Sequence, residues 1–275
     1  MINGTPQGTV SPDDRGLNYG DGLFETCAVR DGRPLLWERH RERLHRGCRQ
    51  LRIPPPAAAT LDDEVTALCR DQQQAVVKVL LTRGSGGRGY RPPAKAEPLR
   101  IVSIHPWPQQ VEERARRGIS VRRCITPSSA NPALARIKHT SRLENVLARA
   151  EWSADDPAEG LMLNLEGEVV EGTASNVFMV KDDMLYTPSL ERSGVAGIVR
   201  EVLLEGAAEA GIPVAVTAIP VAQLKQASEV FVCNSVAGIW PVVWFDGTAM
   251  PQGPLTRRLQ GILAAKDALA YPLEA

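Results

Sequence analysis

One short stretch, residues 137–150, does most to constrain how this chain folds. Ser141 is followed three residues later by Glu144, the capping box found at the start of many helices. Apolar residues then recur at helical spacing, namely Leu143, Val146, Leu147 and Ala150. The pattern predicts a helix over residues 142–153 and places Lys138 just outside its start, on a constrained connection.

That lysine is of interest because the chain uses so few of them. Lysine and arginine total 32, and only six of these residues are lysines. Unlike arginine, a lysine can lose its proton and attack a carbonyl carbon. Lys138 is therefore a candidate nucleophile. The alternative is a solvated lysine near a helix end, since most lysines are surface residues.

Composition narrows the class of protein. The chain has 275 residues with 43% hydrophobic content, 23% charged content and a net charge of zero, which indicates an ordinary globular protein of two domains. A neutral chain has no overall field that favours nucleic acid or anionic lipid, so neither partner is expected. We expect no secretion signal, because residues 1–10 show no basic segment followed by an apolar one. The longest apolar stretch, residues 236–245, is too short to cross a bilayer. A cytoplasmic location is expected.

The cysteines are five in number, widely spaced and without a CxxC pair. This pattern predicts buried free thiols in a reducing compartment, with neither a disulfide framework nor a zinc site. No metal is expected.

Strand and helix signals divide the chain into two α/β parts. In the first, strands over residues 23–29 and 75–82 flank a helix over residues 37–51. Arg43 lies on the edge of the buried stripe of that helix, where it is either an anion ligand or a solvated charge. The expected domains are residues 1–107 and 119–275, joined by a linker at 108–118, with Lys138 on the larger C-terminal domain.

A glycine-rich loop, residues 83–90, follows the second of these strands. It contains GxGxxG, which raises the possibility of a nicotinamide dinucleotide site. The prolines at 92 and 93 argue against that interpretation, because they cannot open the helix that would point at a pyrophosphate. We expect instead that the loop approaches a small anionic ligand, with Arg83 and Arg88 as candidate carboxylate partners.

The C-terminal half predicts two hairpins, over residues 161–171 and 177–187. Glu171 ends a strand beside a turn of small residues, either exposed at the sheet edge or facing inward as a charge partner. The glycines at 194 and 197 lead into a helix running to about residue 210, and a helix start of this kind is suited to phosphate. A second small-residue turn follows at 234–238.

These features together match the needs of pyridoxal phosphate. The cofactor requires a lysine for the Schiff base, a carboxylate that keeps the pyridine nitrogen protonated, and an arginine with glycine or serine turns for the phosphate. No single feature is specific for this cofactor, but the combination is.

A set of short segments runs in order along nearly the whole chain. They are Gly20-Asp21-Gly22 with Phe24-Glu25, His40-x-x-Arg43-Leu44, Ile137-Lys138-His139, Glu171-Gly172-x-x-Ser175-Asn176-Val177-Phe178 and Gly194-Val195-x-Gly197-Ile198-x-Arg200. In these segments the sequence resembles a known family, the fold-type IV pyridoxal phosphate enzymes, a group that includes D-amino acid and branched-chain transaminases. The resemblance implies an α/β (α+β) fold like that of D-amino acid aminotransferase, in a homodimer of two-domain subunits with the cofactor between the domains.

The resemblance also implies roles for individual residues. Lys138 would be the catalytic Schiff-base lysine and Glu171 the partner of the pyridine nitrogen. The phosphate would be held by Arg43, by the backbone N–H groups of Ile198 and Val199, and by the Ser235 hydroxyl. Candidate substrate contacts are Arg83, Arg88, Tyr90 and Thr26.

Within the family, two segments are similar to one branch of lyases. They are Arg83-Gly84-Ser85-Gly86-Gly87-Arg88-Gly89-Tyr90 and Lys138-His139-x-x-Arg142-Leu143-Glu144. This similarity implies conversion of 4-amino-4-deoxychorismate into 4-aminobenzoate and pyruvate, a step toward folate. The alternatives are a D-amino acid or branched-chain transaminase of the same fold and a cofactor-free binding protein.

Overall fold

The structure is a computed structural model that describes residues 1–153 and 156–266. The chain divides into two compact units. The first contains Met1–Pro108 with Ile137–Arg142, and the second contains Gln109–Arg136 with the chain from Leu143 onward.

This division differs in two respects from the predicted domains. The segment that carries Lys138 belongs to the first unit, because Phe24 N–H donates to the Lys138 carbonyl at 2.9 Å and ties the segment to a strand there. The predicted linker at 108–118 contains a helix, Val111–Arg117. The domain boundaries themselves stay a prediction.

The first unit is an antiparallel sheet with two helices packed on one face. The strands lie in the order β2-β1-β3-β4. Inward residues alternate along the strands, as Leu23, Cys27 and Val29 do in β1, and pack against α2 and α3. The elements are α1 (Arg15–Tyr19), β1 (Gly22–Arg30), β2 (Arg33–Pro34), α2 (Trp37–Leu51), α3 (Ala58–Cys69), β3 (Gln74–Thr82) and β4 (Leu99–Pro106).

The second unit is built on a mixed sheet. Its strands lie in the order β10-β9-β8-β11-β12-β5-β6-β7, with β13 paired to β12. Pairing is parallel between β5 and β6, between β5 and β12, and between β9 and β10. The elements are α4 (Val111–Arg117), β5 (Ile119–Arg123), α5 (Leu143–Arg149), β6 (Glu159–Leu163), β7 (Val169–Gly172), β8 (Asn176–Lys181), β9 (Met184–Pro188), α6 (Ile198–Glu209), β10 (Val214–Thr217), α7 (Val221–Leu224), β11 (Glu229–Asn234), β12 (Gly238–Phe245), β13 (Thr248–Ala249) and α8 (Pro254–Ala265).

Most of the predicted elements are confirmed. Helix α2 has the predicted bounds, and both hairpins of the second half form as antiparallel pairs. The predicted helix over 142–153 is shorter, and its capping box does not form. The Ser141 hydroxyl donates to the Gly20 carbonyl, and the Glu144 carboxylate accepts from the Ser129 N–H. Each side chain thus bonds a residue distant in sequence and does not cap the first turn of the helix.

The apolar face predicted for that helix is not covered. Leu143 is 71% exposed and Val146 is 60% exposed. The five cysteines, in contrast, are all buried and free, as predicted.

None of the described helices has the length and apolarity needed to cross a membrane.

A buried glutamate fixes helix α8 of the second unit. Glu229 is 4% exposed, and its two carboxylate oxygens accept from the N–H groups of Leu255 and Thr256 at 3.0 and 2.6 Å. Those N–H groups belong to the first turn of α8, where the helix supplies no partner of its own. The carboxylate therefore caps α8 from the neighbouring strand β11.

We predict that Glu229→Gln lowers the free energy of unfolding by about 1–3 kcal/mol, because the amide offers one acceptor to two buried N–H groups. Urea denaturation followed by circular dichroism measures the change. Glu191→Gln, at an exposed position, is the matched control. Equal midpoints for the two variants would show that the cap contributes nothing.

Candidate functional site

The first unit places Lys138 on the open edge of a strand. Strand β1 pairs with β3 along its whole length, but its other edge pairs with β2 only at Val29 and Arg30. The segment carrying Lys138 pairs with the start of that edge, since Thr140 N–H donates to the Gly22 carbonyl at 2.9 Å and Phe24 N–H donates to the Lys138 carbonyl. Main-chain pairing therefore fixes the position of the lysine.

The same segment is held from its C-terminal side by an arginine. The Arg142 guanidinium donates to the carbonyls of His139 and Ile137 at 3.1 and 3.0 Å, and Ile137 is buried in the core of the first unit. The conformation around Lys138 is thus set by hydrogen bonds to carbonyls on both sides of it.

The side chain of Lys138 lies over an aromatic ring. Its Nζ is 4.3 Å from the centroid of Phe24, and the Nζ of Lys78 is 5.5 Å from the same centroid. Phe24 and Thr26 alternate with the inward residues of β1 and therefore occupy the face opposite the α2 and α3 helices. This face of β1 therefore carries Phe24 and Thr26, and the Lys138 amine lies over the Phe24 ring.

Arg43 is part of a buried cluster of charges that joins α2 to β1. Its Nε donates to Glu25 Oε1 at 2.9 Å, and one of its terminal nitrogens donates to Glu25 Oε2 at 2.6 Å. His40 Nδ1 lies 2.6 Å from the same Oε2. All three side chains are at most 5% exposed, so the predicted phosphate ligand is a rigidly held, paired arginine.

Electrostatics assigns the protons in this cluster. Burial raises the pKa of Glu25, but the charge and hydrogen bonds of Arg43, with the hydrogen bond of His40, outweigh burial and bring the pKa to about 2. Burial lowers the pKa of His40 against the opposing effect of Glu25, and the charges of Arg43 and Lys138 lower it further. Glu25 is therefore ionised, and a neutral His40 donates its Nδ1–H to it.

The second ring nitrogen of His40, Nε2, is also buried, and within residues 1–153 and 156–266 it has no hydrogen-bond partner.

In the second unit, Glu171 lies at the end of β7 and faces inward. It is 6% exposed, and its Oε2 accepts from the Val195 N–H at 2.8 Å. A glycine makes this approach possible, because Gly194 has φ +85° and a Cβ there would meet Leu190 Cδ2 at 2.8 Å and Glu171 Oε2 at 3.2 Å. Of the two alternatives, an exposed edge or an inward charge partner, the structure shows the inward carboxylate.

The start of α6 follows directly after this contact. Gly197 is the N-cap residue and makes no side-chain cap hydrogen bond. Ile198 and Val199 occupy the first turn, and each is 1% exposed. In the part of the chain that the structure describes, no side chain accepts from their N–H groups, which is the arrangement of an anion-binding helix start.

The two small-residue turns are held by different groups. In the turn after Glu171, the hydroxyls of Thr173 and Ser175 donate to the buried Glu159 carboxylate at 2.5 and 2.7 Å. In the second turn, Asn234 Oδ1 accepts from the N–H groups of residues 236 and 237 at 2.9 and 2.7 Å. Ser235 lies half-buried in that turn, and its role as a phosphate ligand stays a prediction.

The predicted substrate contacts lie in different environments. Arg83 is 6% exposed and donates to both oxygens of Asp21 and to the carbonyls of Leu51 and Arg52. Four of its donors are thus occupied by the protein, which favours a structural role over the predicted carboxylate contact.

The rest of the glycine loop is more open. Arg88 is exposed and Tyr90 is 85% exposed. Arg15 donates to the carbonyls of Gly89 and Tyr90, both at 3.0 Å, and the rings of Tyr19 and Tyr90 lie 5.5 Å apart in an edge arrangement. These contacts anchor the far end of the loop. The substrate roles of Arg88, Tyr90 and Thr26 stay predictions.

Three residues gain a role only in the structure. Glu25 and His40 form the charge cluster with Arg43, and Asn176 bonds the Val195 carbonyl and the Gly197 N–H. Each belongs to a sequence motif, but a motif does not say what a side chain contacts. One signal was available for Glu25, which is a charged residue at an inward position of a strand whose other inward positions are apolar. A buried carboxylate in such a place requires a partner, and two residues of α2 provide it.

Comparison with known proteins identifies the family. A model described as amino-transferase class IV matches residues 22–244. The aminodeoxychorismate lyase of Vibrio harveyi is 37% identical over 266 residues, which cover 95% of this chain and 98% of that protein. The branched-chain-amino-acid aminotransferase of Escherichia coli strain K12 is 31% identical over 265 residues, which cover 89% of this chain and 83% of that protein.

A solved structure agrees with these relatives. The crystal structure of 4-amino-4-deoxychorismate lyase from Pseudomonas aeruginosa is similar to this chain with a TM-score of 0.90 and 48% sequence identity. The match covers 96% of this chain and 98% of that one. It confirms the fold that the sequence resemblance predicted.

We predict that Glu25→Gln destabilises the protein by about 3–5 kcal/mol, because it removes the buried carboxylate that pairs with the Arg43 charge. The effect depends on pH. The folded pKa of Glu25, about 2, lies below its reference value of 4.5, so the stabilisation is complete above pH 4.5 and is lost as the pH falls toward 2.

Urea unfolding of the wild-type protein and of the variant, repeated at several pH values, measures this difference. It should be constant above pH 4.5 and shrink below it. Glu38→Gln is the control: it changes a glutamate of α2, the helix that carries Arg43, whose side chain is 79% exposed, and it should have little effect. A stability difference that did not change with pH would contradict the ionised state of Glu25.

Proposed function

Because this chain belongs to the amino-transferase class IV family, we propose that it is an aminodeoxychorismate lyase. It would convert 4-amino-4-deoxychorismate into 4-aminobenzoate and pyruvate with pyridoxal 5'-phosphate as cofactor. The observation that carries the proposal is the match to the Pseudomonas aeruginosa lyase, 48% identical with 96% of this chain covered. The Vibrio harveyi relative supports the same activity.

The residues present fit the proposed cofactor. The phosphate needs N–H donors and a cation, and the buried start of α6 has uncapped N–H groups while Arg43 offers a guanidinium held in place by Glu25. The pyridine nitrogen needs a carboxylate, and Glu171 is buried and held by the Val195 N–H. Lys138 is fixed by main-chain pairing, as a covalent attachment point requires.

The chemistry that the cofactor supplies when bound is an electron-poor ring that withdraws charge from the carbon bearing the substrate amine. Glu171 would hold the pyridine nitrogen of the bound cofactor and keep it protonated by its negative charge. Once the substrate amine had replaced the Lys138 amine, Lys138 would be free to act as a base. It would remove the proton from the substrate carbon that bears the amine, and the enolpyruvyl group would leave from the neighbouring carbon as its C–O bond breaks.

The product then makes the reaction favourable. Loss of the proton and of the enolpyruvyl group leaves an aromatic ring, 4-aminobenzoate, and the enol form of the departing group becomes pyruvate on protonation. Thr26, Tyr19 and Tyr90 are candidates for that protonation. Thr26 lies on the same face of β1 as Phe24, over whose ring the Lys138 amine is placed.

A transaminase is the second candidate, and the Escherichia coli branched-chain relative at 31% identity supports it. Both reactions use the same lysine and the same pyridine-nitrogen carboxylate. We further propose that the protein acts in the cytoplasm as a homodimer, in the supply of 4-aminobenzoate for folate, without a nucleic-acid or membrane partner.

We predict that the purified protein is yellow and that borohydride reduction attaches the cofactor irreversibly at Lys138. Peptide mapping by mass spectrometry locates the label. Lys78→Ala is the matched control, because Lys78 also has its amine over the Phe24 ring yet should leave the labelling unchanged. Lys138→Ala should abolish both labelling and turnover, and normal turnover by that variant would refute the assignment of the lysine.

We predict that the protein releases pyruvate from 4-amino-4-deoxychorismate in the absence of any keto-acid acceptor, since a lyase needs no second substrate. Coupling to lactate dehydrogenase follows pyruvate, and fluorescence follows 4-aminobenzoate. The two products should appear in equal amounts. Amino-group transfer that depends on an added keto acid, with no pyruvate from the chorismate compound, would instead establish the transaminase.

A further inference from the structure

One asparagine joins the two places in the second unit where the proposed cofactor would be held, namely the Glu171 carboxylate and the start of α6. Asn176 is 5% exposed and lies at the start of β8. Its amide Nδ2 donates to the Val195 carbonyl at 2.8 Å and lies 3.5 Å from Glu171 Oε2. Its Oδ1 accepts from the Gly197 N–H at 3.1 Å. The same amide therefore touches both the carboxylate and the start of α6.

The backbone between these two places is shaped around that side chain. A Cβ at residue 197 would collide with Asn176 Oδ1, so only glycine allows the helix start to approach so closely. Val195, whose carbonyl binds the asparagine, also gives its N–H to Glu171 Oε2 at 2.8 Å. Residues 195–197 thus connect the two places in three hydrogen bonds.

Asn176 itself is held from the strand side. It follows the turn whose Thr173 and Ser175 side chains are bound by Glu159, and β8 pairs with β11 through Cys233 at this position. A side chain anchored on a strand inside the sheet has little rotational freedom. Such a rigid side chain can hold neighbouring groups in position before a ligand binds.

We infer that Asn176 is a positioning residue that sets the Glu171 carboxylate and the N–H groups of Ile198 and Val199 at a fixed separation. The inference rests on the proposed function, because the two places become the pyridine-nitrogen contact and the phosphate contact of one cofactor molecule. Only an amide does this, since it offers a donor toward Glu171 and Val195 and an acceptor toward Gly197.

Ligand binding to the apo-protein tests this positioning. Three ligands separate the contribution of the phosphate contact from that of the pyridine-nitrogen contact. They are pyridoxal 5'-phosphate, pyridoxal, which lacks the phosphate, and a deaza analogue of pyridoxal phosphate in which carbon replaces the ring nitrogen. The dissociation constant of pyridoxal divided by that of pyridoxal 5'-phosphate gives the preference for the phosphate. The dissociation constant of the deaza analogue divided by that of pyridoxal 5'-phosphate gives the preference for the ring nitrogen. Equilibrium binding, followed by absorbance, measures both without any turnover.

We predict that Asn176→Ala reduces both preferences, each by about tenfold, while the variant stays folded by circular dichroism. Asn164→Ala is the matched control, because that asparagine organises the β6–β7 turn of the same unit through similar contacts; it should keep both preferences. Retention of either preference at the wild-type value in folded Asn176→Ala overturns the inference.

A second variant keeps the test decisive if Asn176→Ala fails to fold. Asn176→Asp retains the acceptor for the Gly197 N–H and loses the donors toward Glu171 and Val195. It should reduce the preference for the ring nitrogen more than the preference for the phosphate, and equal reductions would overturn the inference. Failure of the proposed function would look different, because the wild-type protein would then bind none of the three ligands.

Discussion

The pairing of residues 138–140 with the free edge of β1 is the constraint on which the proposed chemistry depends. A lysine amine is a useful nucleophile only when its backbone cannot move, because small displacements are costly in covalent catalysis. Here the backbone is fixed by hydrogen bonds between the Lys138 carbonyl and Phe24 and between Thr140 and Gly22. The segment comes from far along the chain, yet it becomes part of the first unit through these bonds.

Three buried carboxylates each fix a side chain, a turn or a helix of another element. Glu25 fixes Arg43, Glu159 fixes the turn after Glu171, and Glu229 caps α8. Each is buried at a cost that its hydrogen bonds must offset. Since the donors come from other elements, these charges join strands to turns and helices that the apolar cores alone would leave less defined.

How far the sequence predicts the site differs from residue to residue. Helix α2 was predictable because its apolar residues recur at helical spacing and prolines follow it, and that placed Arg43 on the inner edge of the helix. The capping box at Ser141 and Glu144 was misleading, because both side chains find tertiary partners that compete with the helix start. Arg83 was predicted to bind substrate from its place in a glycine loop, but Asp21 and two carbonyls, none of them its neighbours in sequence, occupy its guanidinium.

The sequence by itself determined the kinds of chemistry available: a scarce lysine, a carboxylate at a strand end, glycine-flanked turns and the order of motifs that places the chain in its family. These are local properties, set by residue type and spacing. Only the tertiary structure decided which unit carries Lys138, that Glu25 pairs with Arg43, and that one asparagine touches both Glu171 and the start of α6. Such contacts join residues distant in sequence, and their partners are chosen by packing and by the need to satisfy every buried polar group, which no local pattern records.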